Sequence, residues 1–149
     1  MVSTVVDVAN AVVDRINLQT LSQSFTAVRK YNPTLKLEDA ASLVVSVWPE
    51  TRLIEFFSRR EYGRRIAIAV MVQKNVSAVD EDTTEIDALM LLVDEIIDRL
   101  EFEHLNAGAP IPKKALFQSI VNDPVCSRDT LEIERQFVSK LVVTYLLSE

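Results

Sequence analysis

Residues 66–72, Ile-Ala-Ile-Ala-Val-Met-Val, run for seven positions without a polar side chain. Within YGRRIAIAVMVQKN, the branched residues Ile66, Ile68, Val70 and Val72 alternate with Ala67, Ala69 and Met71. Period-two alternation rich in β-branched residues predicts a strand. Apolar character on both sides predicts a central strand, covered on both faces. The run is far short of the ~20 residues a membrane helix needs. Any fold for this chain must be built around that interior strand.

The flanking segments supply the rest of a domain. Ser3 or Thr4 is placed to cap a first helix, in which Val5, Val8, Val12 and Ile16 form one apolar stripe. Valine is a mediocre helix former, so packing must hold this helix. FTAVRKY, residues 25–31, reads as a short strand ended by Asn32-Pro33. In SLVVSVWP, Leu43, Val45 and Val47 face one way, and Val44, Ser46 and Trp48 the other. Pro49 stops that ladder or places its end at an edge. RLIEFFS extends a hairpin arm. Residues 80–103 read as a long helix capped by Thr83 or Thr84, with Ile86, Leu89, Met90, Val93, Ile96, Ile97 and Leu100 as its apolar face. NAGAPIPKK is a linker, ALFQSIV a strand, NDPVCSRDTLEIE an excursion, and RQFVSKLVVTYLLSE a final alternating strand. The order predicts one α+β domain over residues 1–149. A single mixed or antiparallel sheet carries the N-terminal helix and the long acidic amphipathic helix, with a hairpin arm around residues 50–66.

Sites for catalysis are hard to find. There is one histidine, His104, and one cysteine, Cys126. A helix-end histidine most often serves as a surface or capping residue, and a lone loop cysteine as an inert thiol. One cysteine also rules out a disulfide within the chain, and the framework reads as cytosolic or independent of oxidation. The N-terminal segment lacks a basic n-region and Asp7 interrupts its apolar run, so it does not read as a signal peptide. With two glycines, Gly63 and Gly108, no glycine-rich phosphate cradle is possible. DEDTTEID fails as a calcium loop: Glu85 stands where glycine is required and Leu91 where glutamate is required. Asp94 and Asp98 share a helix face at i, i+4, which fits a solvated helix back better than a glycosidase pair. Trp48 and Tyr62 lie near arginines but do not alternate with basic residues as base-stacking aromatics do. The sequence thus predicts no catalytic residue, no metal and no cofactor.

Charge is the pattern left over. The formal net charge is −6 and the pI about 4.9, which argues against a general nucleic-acid binder. Between residues 52 and 65, Arg52, Arg59, Arg60, Arg64 and Arg65 face Glu55 and Glu61, a balance of +3. Residues 80–103 carry ten acids against Arg99, a balance of −9. One basic arm and one acidic helix can pair within a molecule or between copies, and head-to-tail pairing closes into a ring when the rotation allows. Arginine suits such a contact because its guanidinium grips carboxylates bidentately. A solvated turn beside an ordinary acidic helix is the plainer reading. A mean hydropathy of +0.14 leaves apolar material for subunit contacts. Arg52, Arg59, Arg60, Arg64 and Arg65, with Asp94, Glu95 and Asp98, are therefore the candidate interface residues.

VVDVANAVVDRIN, FTAVRKYNPTLKLEDAASLVVSVWP, EYGRRIAIAVMVQKN, EIDALMLLVDEIIDRL, and NDP with LEIERQFVSKLVVTY follow one another across nearly the whole chain. In layout and phrasing this series resembles the tail terminator proteins of long-tailed bacteriophages, small α+β proteins of the head–tail neck. The resemblance implies a non-enzymatic virion protein, assembled in the host cytoplasm into a ring, typically of six subunits. Such a ring caps the tail tube, ends its polymerisation and offers the head-side stopper or connector a docking face. DNA passes through its channel, and the acidity of this chain then has one role to fill, as a channel wall that repels phosphate and lets DNA slide. No membrane is involved. Other readings stay open: another neck or tail component (connector, stopper or tube subunit), a hydrolase using Asp/Glu pairs, and a nucleic-acid binder using the arginines.

Overall fold

The structure is a computed structural model and describes residues 3–31, 42–56, 62–76, 84–108 and 113–148. Its elements are α1 (Thr4–Ile16), β1 (Ala27–Arg29), β2 (Val44–Phe56), β3 (Tyr62–Asn75), α2 (Thr84–Leu100), β4 (Leu105–Ala107), β5 (Lys113–Asn122), α3 (Arg128–Glu134) and β6 (Gln136–Ser148). The strand order is β1-β2-β3-β6-β5-β4. β1 runs parallel to β2, and all other pairings are antiparallel.

Alternation decides what each strand buries. Ile66, Ile68, Val70 and Val72 of β3 lie opposite Tyr145, Val143, Leu141 and Ser139 of β6. Val70 and Val72 also face Val47 and Val45 of β2. Val8, Ala9, Val12 and Ile16 of α1, and Leu89, Leu92, Val93, Ile96 and Leu100 of α2, join them in one buried cluster. Each fully buried aliphatic side chain contributes about 1.5–3 kcal/mol. The other face of β3 carries Ala67 and Ala69, which are buried although α1 and α2 pack on the opposite side. Their cross-strand neighbours close over them: Trp48 and Val142 flank Ala69, and Thr51 and Thr144 flank Ala67. Small side chains on β3 thus lie between larger neighbours on the adjoining strands.

The fold differs from the class expected from the sequence: instead of a single sheet carrying a long helix, the described residues form a mixed six-stranded half-barrel with three short helices. Two physical causes are visible. Register shifts between Pro49 and Thr51 of β2, and between Phe117 and Ser119 of β5, insert an extra residue and bend each strand. And α1 packs against β1 and β4, the two edge strands, as well as β2 and β3, so the sheet wraps around it. Among the described residues the acidic helix is Thr84–Leu100, so it ends three residues before Glu103, and residues 80–83 with the expected Thr83 cap lie outside the described residues. β4 overlaps the start of the expected linker, β5 begins within its last two residues, and α3 falls in the expected excursion.

Local bonds fix the wrap. Asn17, just past α1, receives the Ala27 amide on Oδ1 at 2.8 Å and donates from Nδ2 to the Ala27 carbonyl at 3.0 Å. One side-chain amide thereby acts as a further strand partner for β1. Gly108, after β4, has φ +92°, and a Cβ there would stand 3.1 Å from the Asp7 carboxylate of α1. Arg15 of α1 donates from Nε to the Arg99 carbonyl at 3.1 Å, placing a cation at the C-terminal end of α2.

Candidate functional site

The arm begins where β1 ends. β1 pairs with β2 only at Val45, Ser46 and Val47. Beyond Val47, β2 keeps β3 on one side, and no described strand lies on the other. Pro49 occurs in this half-open stretch, where a residue without an N–H is tolerated. The register shift leaves Glu50 outside the ladder. Its carboxylate accepts Trp48 Nε1–H at 2.8 Å and pairs with Lys140 Nζ at 2.9 Å, while that ammonium sits 5.8 Å from the Trp48 ring centroid. The lysine of the outer face is neutralised in place.

Farther along, Arg52 lies opposite Ile66, Ile54 opposite Arg64, and Phe56 opposite Tyr62. Arg52, Ile54 and Phe56 continue the side of the sheet that holds the core, past the point where the core ends. Ile54 is 60% exposed and Phe56 74% exposed. The alternate residues are Thr51, Leu53 and Glu55, and Leu53 too is exposed. Three large apolar side chains in water on one half-open strand amount to an unfinished surface.

The predicted basic residues divide into distinct cases. Arg65 is held by Glu55 at 2.9 Å, a partly exposed pair worth about 0–1 kcal/mol. Arg64 is half-buried and already engaged. Arg52 is exposed and has no ion pair among the described residues. Arg59 and Arg60 lie outside the described residues.

The acidic residues divide as well. Glu95 accepts the Ser22 amide on Oε2 at 3.0 Å, so it ties α2 to the segment after α1. Arg99, one turn on, hydrogen-bonds the Gln19 side chain. Asp94 and Asp98 are exposed and form no ion pair among the described residues. Asp87 and Ala88 are exposed on the same side of the helix, and between them and Asp94 lies Leu91, 53% exposed. Sequence reasoning missed Leu91, Ile54 and Phe56. A leucine flanked at i−4 and i+3 by aspartates was the available signal for Leu91; Ile54 and Phe56 looked like ordinary strand residues. No ion pair joins Arg52 or Arg65 to Asp94 or Asp98 within the chain.

The residues weighed for chemistry have structural surroundings. His104 Nδ1 accepts the Phe117 amide at 3.2 Å, fastening the start of β4 to β5. Cys126 is half-buried, and burial pushes its thiol above the ordinary range, away from the reactive thiolate. Tyr145 is fully buried, and its phenol is pushed well up by burial, with the Arg15 charge pulling the other way. Among the described residues no group of three or more His, Cys, Asp or Glu is placed to hold a metal ion. Nor is any described helix long and apolar enough to cross a membrane.

No protein-family model matches the chain, and no curated protein matches it in sequence. A solved structure does match in fold. It is a chain from the "virion of native gene transfer agent (GTA) particle", superposed with a TM-score of 0.63 at 12% identity, over 100% of both chains. The half-barrel is therefore a fold found, at full length, in a component of a virion particle.

Proposed function

We propose that this chain is a structural protein of a phage-like virion. In this reading it forms a ring at the neck that caps the tail tube, ends its polymerisation and presents a face to the head-side connector. It acts through surfaces and not through catalysis, and DNA passes through the ring's channel. The observation that carries the reading is the full-length fold likeness to a chain of a gene transfer agent particle. The order of segments that resembles tail terminators, and the arm with its exposed Leu53, Ile54 and Phe56, support the same conclusion.

The reading is tested by adding the purified chain to polymerising tube subunits of the same particle and measuring tube length by electron microscopy. A terminator shortens tubes in proportion to its concentration and decorates their ends. Unlimited co-polymerisation along the tube assigns the chain as a tube subunit. Tubes of unchanged length and bare ends remove it from tube capping.

A further inference from the structure

We infer that the arm of one copy docks on helix α2 of the next, which makes the contact between subunits heterologous. This rests on the ring-forming reading above and names its interface. The two surfaces match in kind. The arm offers Arg52 beside the exposed apolar Ile54 and Phe56. The helix offers Leu91 and Ala88 bordered by Asp87, Asp94 and Asp98. Among the described residues both surfaces are open: apolar side chains on a half-open strand, and carboxylates without an ion pair around a leucine. Together they place an apolar centre inside a rim of opposite charge, which is how specific interfaces are built.

The lengths agree too. Arg52 to Phe56 covers about 13 Å of strand. Asp87 to Asp98 covers about 16 Å of helix. Internal bonding sharpens the choice of residues. Arg65 is already paired with Glu55, and Glu95 with the Ser22 amide, so Arg52, Asp94 and Asp98 are the stronger candidates for the neighbour. The arm's surface and the helix's surface are different patches of one molecule. Such a contact repeats head to tail, and a ring follows if the rotation closes.

Complementary charge reversal tests the contact. One variant carries Arg52→Glu, the other Asp94→Arg with Asp98→Arg. Each is followed by sedimentation velocity over a range of concentrations, with melting curves to verify folding. Each variant alone is expected to need about 100-fold more protein than wild type to assemble, because like charges then meet at the contact. An equimolar mixture is expected to recover assembly, since each reversed arm then meets a reversed helix and each native arm meets a native one. A misfolded variant is excluded by that recovery. Variants that assemble like wild type, or a mixture that stays dissociated, overturn the contact while leaving the ring intact. A wild-type chain that stays monomeric at every concentration overturns the ring reading and the contact with it.

Discussion

Three residues bear on the stability of the half-barrel in ways that can be measured one at a time. Tyr145 is fully buried, and its hydroxyl has no hydrogen-bond partner among the described residues. A buried polar group without a partner costs free energy, so Tyr145→Phe is expected to be neutral or to stabilise by about 0–1 kcal/mol in urea unfolding. The pH dependence has a definite sign. Burial raises the phenol's pKa in the folded chain above the unfolded value of about 10. The folded state therefore keeps a proton that the unfolded state loses, and stability falls as pH rises above about 10. Tyr145→Phe is expected to remove that part of the alkaline loss. Gly108 is a second case: at φ +92° and facing Asp7, Gly108→Ala is expected to cost about 1–2 kcal/mol. The third is Asn17, whose two bonds to Ala27 anchor the parallel edge strand, so Asn17→Ala is expected to cost about 1–2 kcal/mol. Denaturant titrations of the two variants check both values.

At the scale of elements, α2 has two faces with separate work. Leu92 is fully buried, whereas Leu91 beside it is half in water. Leu92→Ala is expected to destabilise the fold by about 2–5 kcal/mol. Leu91→Ala is expected to leave the melting temperature nearly unchanged and to weaken self-association, which thermal unfolding and sedimentation read separately. The sequence showed a good part of this level. Leu43, Val45 and Val47 do share one face, and Ala67 and Ala69 do lie opposite Ile66 and Ile68. Leu92 was not assigned to the apolar face of α2, although it is buried there. β4 and α3 were illegible for a simple reason: three residues and seven residues are too short to show a period. The bend of the sheet was illegible because a bulge at Glu50 leaves the alternation of neighbouring residue types looking regular on each side. Candidate charges were legible, but their occupancy was not. Only distances distinguish Arg65, held by Glu55, from Arg52, and Glu95, held by Ser22, from Asp94.

For the whole molecule, the distribution of finish is informative. One side of the sheet joins α1 and α2 in a single buried apolar cluster, and Lys140 on the other side is paired with Glu50. The arm and the outward stripe of α2 remain unfinished, one apolar and basic, the other acidic. The fold occurs in a virion component, and these two surfaces are the ones the proposed assembly uses. The proposed capping of a tail tube is tested by tail length, measured by electron microscopy in phage-like particles produced with an early stop codon in this reading frame. Overlong tails without heads are the predicted result. Tails of normal length that fail to join heads contradict tube capping and assign the chain to the head-side connection, and normal particles contradict a role in the neck altogether.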